Sequence, residues 1–283
     1  MYGNATSKLF LCARGYALAA CVAFPAAAAL AGCARRAEAP AGNAIDYEVR
    51  TFERRSAECV PNGPCAHIRI DYPEFTGGSA AVRESLQAWV FDCVLRSPGD
   101  SVRSVGAEAA MQSFLDGYAA FRKSFPTSQT AWDADRRVAQ LPSPLGVCTL
   151  AARIFAYNGG AHPATLTRLA SFDASNGRRL SPGDLLTPGS EAQLLQAAEE
   201  AFRVARKLPA TASFADSGYW FKDGFRLPSE FAVTPQGFRF CFNEYEVAPY
   251  SMGPTDFTVP MDRLRGVIRH DGPLASLFAG TKS

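Results

Sequence analysis

The chain predicts an α+β fold, with antiparallel sheets packed against a few helices in a two-part body. Apolar residues alternate with a period of two in some segments and recur at helical spacing in others. The two kinds of segment come in blocks, not in the regular strand–helix alternation of a doubly wound sheet. Turn clusters such as Asp173-Ala174-Ser175-Asn176-Gly177 sit between adjacent strand-like runs, as hairpins require.

The N-terminus reads as a leader. Lys8 and Arg14 precede an uncharged run from Gly15 to Leu30, and no acid occurs before residue 33. Leu30-Ala31-Gly32-Cys33 then matches the lipobox that ends in a lipidated cysteine. Residues 1–32 are therefore read as a lipoprotein signal peptide, with Cys33 the first mature residue and the carrier of acyl chains such as palmitate. The run is shorter than the roughly 20 residues of a comfortable spanning helix. Residues 33–44, polar and punctuated by Pro40, suit a tether between lipid and body. The implied place is the cell envelope, with the body facing the periplasm and held to a membrane by its lipid.

The body divides into residues 45–157 and residues 158–283. Tyr47–Glu58 and Ala66–Tyr72 read as strands. In the second, Ala66, Ile68, Ile70 and Tyr72 alternate with His67, Arg69 and Asp71, which puts His67 on the solvated side. Val82, Leu86, Trp89, Val90, Cys93 and Val94 form the stripe of an amphipathic helix. Met111, Phe114, Leu115, Tyr118 and Phe121 form another, stopped at Phe125-Pro126. Strands follow at 130–140, 146–157 and 164–172, then a hairpin into Arg178-Arg179-Leu180. Ser190 and Gln193 form a capping-box pattern before Leu194, Leu195, Ala198, Ala201, Phe202 and Ala205, a third helix. Phe231–Thr234 turns at Pro235-Gln236-Gly237 into Phe238–Phe242, whose three phenylalanines share one face. Met261–Ile268 reads as a last short helix.

Charge and cysteine usage narrow the function. The whole chain carries 29 cations and 27 acids. Removing residues 1–32 takes away Lys8 and Arg14 alone, leaving 27 of each. A neutral body lacks the cationic excess that drives sequence-independent nucleic-acid binding, so nucleic acid is excluded as a partner. Cys12 and Cys21 lie in the leader, and Cys59, Cys65, Cys93, Cys148 and Cys241 remain after Cys33. In an oxidising compartment Cys59 and Cys65, flanking Val60-Pro61-Asn62-Gly63-Pro64, predict a disulfide across a hairpin loop. Cys93–Cys148 is a second pairing the sequence allows, with a core role for Cys93 as its alternative. The three histidines, His67, His162 and His270, are far apart in sequence, so no metal site and no cofactor are assigned.

Tyr157-Asn158-Gly159-Gly160-Ala161-His162-Pro163, followed by Ser171-Phe172-Asp173, Gly177-Arg178-Arg179-Leu180 and Asp184-Leu185-Leu186, resembles a known extracytoplasmic module. It looks like the C-terminal β/α domain shared by PdaC-type peptidoglycan deacetylases and RsiV-type anti-sigma factors. Ile70-Asp71-Tyr72-Pro73 and Trp132 resemble the N-terminal partner of that domain. The run from Phe240 to Tyr250, with Gly253, Phe257 and Pro260, resembles its last strands. The likeness covers about residues 45–270 and makes 45–157 a PdaC-like part and 158–283 an RsiV-like part. The resemblance implies recognition of a peptidoglycan fragment or of a lysozyme-like protein. The deacetylases keep their chemistry in a separate metal-dependent domain, which this chain has no room for.

The best polar cluster in the sequence is Tyr157, Gly159, Gly160 and His162, with Tyr250 from the last third. Two glycines after a strand can open backbone amides to a ligand, beside an imidazole and a phenol. The same residues also read as a tight bend whose histidine caps a neighbouring carbonyl. Glu244 and Glu246, at alternate positions, could pair with Asp256 for glycoside chemistry, though acids so spaced on an edge are usually solvated. No Gly-x-Ser-x-Gly elbow and no phosphate-cradling loop is present. No catalytic residue is assigned. The leading reading is a lipid-anchored envelope protein that binds a wall glycan or a wall-acting protein. An envelope polysaccharide hydrolase and a structural assembly subunit are its rivals.

Overall fold

A computed structural model describes residues 33–36 and 45–278, apart from residues 58, 60–62 and 96–105. The leader lies outside the described residues. Among those described, no helix is long and apolar enough to cross a membrane.

The fold is α+β. In chain order the elements are β1 (Cys33–Arg36), β2 (Tyr47–Arg55), β3 (Ala66–Phe75), α1 (Ala80–Val94), α2 (Ala107–Ser124), β4 (Trp132–Leu141), β5 (Val147–Tyr157), β6 (Ala164–Asp173) and β7 (Arg179–Leu180). Then come α3 (Pro182–Leu185), α4 (Glu191–Ala205), β8 (Glu230–Thr234), β9 (Gly237–Phe242), β10 (Thr255–Pro260) and α5 (Met261–Leu264). Strands β1 to β7 form one sheet in sequence order, and β10-β9-β8 form a second. The first four residues of the expected tether are thus strand β1, paired antiparallel with β2. The 157/158 boundary falls between β5 and β6, which pair from Val147↔Asp173 to Ala156↔Ala164 in the same sheet.

One pair departs from the antiparallel expectation. β3 and β4 run parallel, because α1 and α2 between them form a crossover that brings the chain back in the same direction. β3 continues past its expected end through Pro73 to Phe75. β4 accompanies it only to Asp71, so the proline needs no ladder partner on that side.

The apolar patterns place the core. Val82, Leu86, Trp89, Val90, Cys93 and Val94 are the buried residues of α1, and Ala66, Ile68 and Ile70 of β3 are fully buried beneath the helices. A second core centres on Phe202 of α4. Its ring lies 5.1–5.9 Å from those of Phe214, Tyr219, Phe221, Phe225, Phe242 and Phe257. Phe238, Phe240 and Phe242 are all fully buried, as their alternation requires. On α4 the buried stripe is Leu194, Ala198 and Phe202, while Leu195 and Ala205 face outward.

Two local expectations are corrected, and the pairing left open for Cys93 and Cys148 is answered. Ser190 does not close a capping box, because its hydroxyl turns back to the Thr187 carbonyl. At α3, by contrast, the Asp184 carboxylate reaches back and accepts from both the Ser181 amide at 2.7 Å and the Ser181 hydroxyl at 2.6 Å. The last helix stops at Leu264, and Ile268 instead bridges Leu186. Cys93 and Cys148 are not joined. With Cys241 they are buried free thiols, and desolvation pushes each up to about 12. Cys59 and Cys65 form the disulfide, with Cα atoms 4.8 Å apart.

The outer edge of β6 meets the second sheet through side chains. β7 covers only Ser171 and Phe172, which would leave the preceding amides unpaired. Asn243, just past β9, accepts from the Thr167 N–H at 2.7 Å and donates to the Thr167 carbonyl at 3.0 Å. Glu230 of β8 accepts from the Leu169 N–H at 2.6 Å and from Arg168 Nε at 3.1 Å. Glu244 accepts from the Thr165 N–H at 3.4 Å. Further along, Ser171 Oγ accepts from the Val233 N–H, and Thr149 donates to the Val233 carbonyl.

Three outcomes test this account. Asn243→Ala strands both polar groups of Thr167 and should cost about 2 kcal/mol. Hydrogen exchange should speed at residues 165–169 while β3 and β4 stay protected, and uniform loss across the sheet would refute the edge assignment. Reducing the Cys59–Cys65 bridge should remove about 2 kcal/mol on the chain-entropy account, lowering Tm by roughly 4–8 °C for a body this size. An unchanged melt after confirmed reduction argues against it. The third concerns Asp184, whose carboxyl is held at about 2 chiefly by the Ser181 hydroxyl, against an opposing burial cost, then by the Ser181 amide and Arg178. A depressed carboxyl stabilises above its unfolded pKa of about 3.9 and loses that effect as pH falls through the folded value. Asp184→Asn should melt below wild type at pH 5–7, with the gap closing between pH 4 and 2.

Candidate functional site

β5 ends at Tyr157 and β6 starts at Ala164, so Asn158–Pro163 form the loop between them. The Tyr157 hydroxyl donates to the Gly160 carbonyl at 3.3 Å and closes the loop on its own strand. Gly159 and Gly160 have φ of +86° and +105°, in the region that favours glycine. A Cβ at Gly159 would lie 3.1 Å from Thr130 Cγ2, whereas one at Gly160 would meet nothing within 4 Å. Gly159 is thus required by packing as well as by conformation.

His162 is exposed on this loop. Its Nδ1 lies 3.0 Å from the Pro163 carbonyl, an acceptor only, so the hydrogen-bond network assigns the proton to Nδ1. Nε2 of that tautomer is an acceptor, and the Tyr245 hydroxyl donates to it at 3.1 Å. The imidazole stacks on Tyr250, with ring centres 3.6 Å apart and planes 17° from parallel. Tyr245 and Tyr250 are themselves neighbours at 5.9 Å. Partial burial, then the Glu244 carboxylate and Tyr245, hold the Tyr250 phenol above its ordinary range. Tyr250 therefore stays protonated and able to donate.

The two tyrosines reach His162 because of the β6 edge. Asn243 and Glu244 bind Thr167 and Thr165, which anchors the segment after β9 beside the start of β6. Tyr245 then takes φ of +64°, a left-handed conformation uncommon for an aromatic residue, and is 55% exposed. Sequence reading brought His162 and Tyr250 together but did not assign Tyr245. The signal available was its place directly after Asn-Glu at a strand end, and it becomes readable only once Asn243 is known to bind β6.

Under the loop lies a cavity of about 230 Å³ lined by Phe114, Arg136, Asn158, Gly159 and His162. Arg136 is 2% exposed and donates to the Val94 carbonyl at 2.8 Å. The acids considered for glycoside chemistry are placed otherwise than alternation implied. β9 ends at Phe242, so Glu244 and Glu246 lie in a turn and not on a strand. Glu244 binds the Thr165 amide, and Asp256 is gripped by Arg239. His67 of β3 sits between Glu53 at 2.9 Å and Asp133 at 3.0 Å, on the solvated face expected of it. Among the described residues no group of three or more His, Cys, Asp or Glu side chains could hold a metal ion.

Comparison with known proteins identifies the fold and leaves the chemistry open. No curated protein matches the chain. Residues 183–262, from α3 to α5, match the family described as Protein of unknown function (DUF3298). Those residues include Tyr245 and Tyr250 but not His162. The crystal structure of a DUF3298 family protein from Pseudomonas aeruginosa PAO1 is 22% identical, with a TM-score of 0.59 over 80% of this chain and 94% of that one. A DUF3298 family member from Bacteroides fragilis is 16% identical, with a TM-score of 0.62 over 84% of this chain and 98% of that one. Residues 183–262 thus match the DUF3298 model, within a body folded like those two proteins.

Proposed function

We propose that this protein is exported, anchored to a membrane by lipid on Cys33, and binds a cell-wall glycan through the His162 cluster without catalysis of its own. The observation that carries this is the exposed stack of His162 on Tyr250, with Tyr245 hydrogen-bonded to its edge. Flat rings at a surface offer a face for the apolar side of a sugar, and phenols beside them supply hydrogen bonds. The Gly160 backbone adds open approach next to the rings. Support for a wall ligand comes from the resemblance to the PdaC-type and RsiV-type modules. Support for export comes from the leader, the lipobox and the disulfide. A hydrolase is the weaker reading, because Glu244 and Asp256 are already bound to an amide and to an arginine.

His162→Ala and Tyr250→Ala should each weaken binding of soluble peptidoglycan fragments about tenfold or more, which corresponds to about 1.4 kcal/mol for a lost ring contact. Their melts should stay within about 2 °C of wild type, because the residues are not in the core. Equal binding, or collapse of both variants, counts against the site. Capture of a lysozyme-like protein without any glycan affinity moves the role to protein recognition, and turnover of wall material by the pure chain overturns the non-catalytic reading. Mass spectrometry of the mature protein should show an acylated Cys33 at its N-terminus, and an intact Met1 on a soluble product would refute the anchor.

A further inference from the structure

A second groove, apart from the His162 cluster, runs between the C-terminal end of β2 and the second half of α2. Its volume is about 610 Å³. Among its described lining residues four cations, Arg54, Arg55, Arg122 and Lys123, face one acid, Asp116. That concentration stands out in a body whose overall charge, once the leader is set aside, is zero. Two of the cations are held in place, Arg54 by Gln112 Oε1 at 3.1 Å and Arg122 by the Ser128 carbonyl. Arg55 and Lys123 are exposed and form no ion pair among the described residues. The Cys59–Cys65 bridge closes the loop that follows Arg55 and fixes the end of the strand bearing two of the four charges.

The floor of the groove holds the second observation. Tyr118 lines it and is 2% exposed, and its hydroxyl is buried without a hydrogen-bond partner among the described residues. Its ring packs against Phe121 and Trp132, as a phenylalanine would. The hydroxyl therefore bears a desolvation cost that nothing in the described protein offsets. The hydroxyl belongs to a residue that lines the cationic groove, and an acceptor of negative charge reaching it would offset that cost.

We propose that this groove binds the phosphate ester of an anionic ligand, with Arg54, Arg55, Arg122 and Lys123 on its oxygens and the Tyr118 hydroxyl donating from below. Guanidinium forks match phosphate oxygens in pairs. An excess of three positive charges balances a phosphomonoester better than a single carboxylate. Leu115, Ala119 and Pro126 give the ligand's uncharged part an apolar wall. The phosphate could belong to a lipid headgroup or to a soluble sugar phosphate, and the chemistry of the groove is the same for both.

Calorimetric titration of the purified chain decides it, with glucose 1-phosphate in one arm and phosphatidic acid vesicles, against phosphatidylcholine vesicles, in the other. At least one phosphate probe should bind, several-fold more weakly at 200 mM than at 50 mM salt. The Arg55→Ala, Lys123→Ala double variant should lose tenfold or more with an unchanged melt. Tyr118→Phe should lose about tenfold while melting at or above wild type, since it removes a buried unpaired hydroxyl. Vesicle binding alone assigns the lipid source, and binding of the soluble ester alone assigns the other. No binding of any phosphate probe at millimolar concentration overturns the proposal, as does wild-type affinity in both variants. His162→Ala should bind these probes as wild type does, so failure here and failure of the glycan site are read separately.

Discussion

The outward edge of β6 is the constraint on which the rest of the molecule depends. A seven-stranded sheet whose penultimate strand is covered over only two residues by β7 exposes a row of amides, and such a row must be paired or it templates association. Here Glu244, Asn243 and Glu230 bind Thr165, Thr167 and Leu169, the alternate residues whose N–H groups point outward. Asn243 acts as a substitute peptide, accepting and donating to one residue as a neighbouring strand would. The second sheet is thereby attached to the first without a continuous ladder. The attachment is directional, since each acceptor must meet one particular N–H.

That attachment also builds the candidate site. His162 lies two residues before β6, and Tyr245 lies two residues after the asparagine that binds it. Pinning Asn243 and Glu244 leaves Tyr245 in a left-handed conformation with its hydroxyl on the imidazole, and Tyr250 folds back beneath the same ring. Backbone strain of this kind persists where surrounding contacts over-determine it. The functional candidate is therefore a consequence of how the two sheets are joined, and not an ornament on one loop.

Much of the frame was legible in the sequence because burial leaves a periodic trace. The stripe of α1 and the alternation of β3 were readable residue by residue, since every second or third-to-fourth position faces one core. The phenylalanines of β9 were readable for the same reason. The parallel β3–β4 pair was hidden, because periodicity reports a face and not a direction. Ser190 misled because a serine followed three positions later by glutamine satisfies the capping pattern whether or not its hydroxyl prefers the Thr187 carbonyl. Asn243 was the deepest omission. A polar residue that pairs across 76 positions leaves no local signature, and with it went the placement of Tyr245.

The acids and thiols weighed for chemistry are largely engaged in the scaffold. Acid–base catalysis needs a group whose pKa lies near the working pH and whose atoms are open to substrate. Glu230 and Glu244 are spent on β6 amides, and Asp256 on Arg239. Asp184 is locked in the first turn of α3 with its carboxyl at about 2, and the three free thiols are buried and pushed to about 12. Tyr250 is shifted further from ionisation, so it stays a neutral phenol. At the candidate sites the groups left open are rings, glycine backbone and, beside α2, the exposed Arg55 and Lys123. Such groups bind planes, hydroxyls and anions.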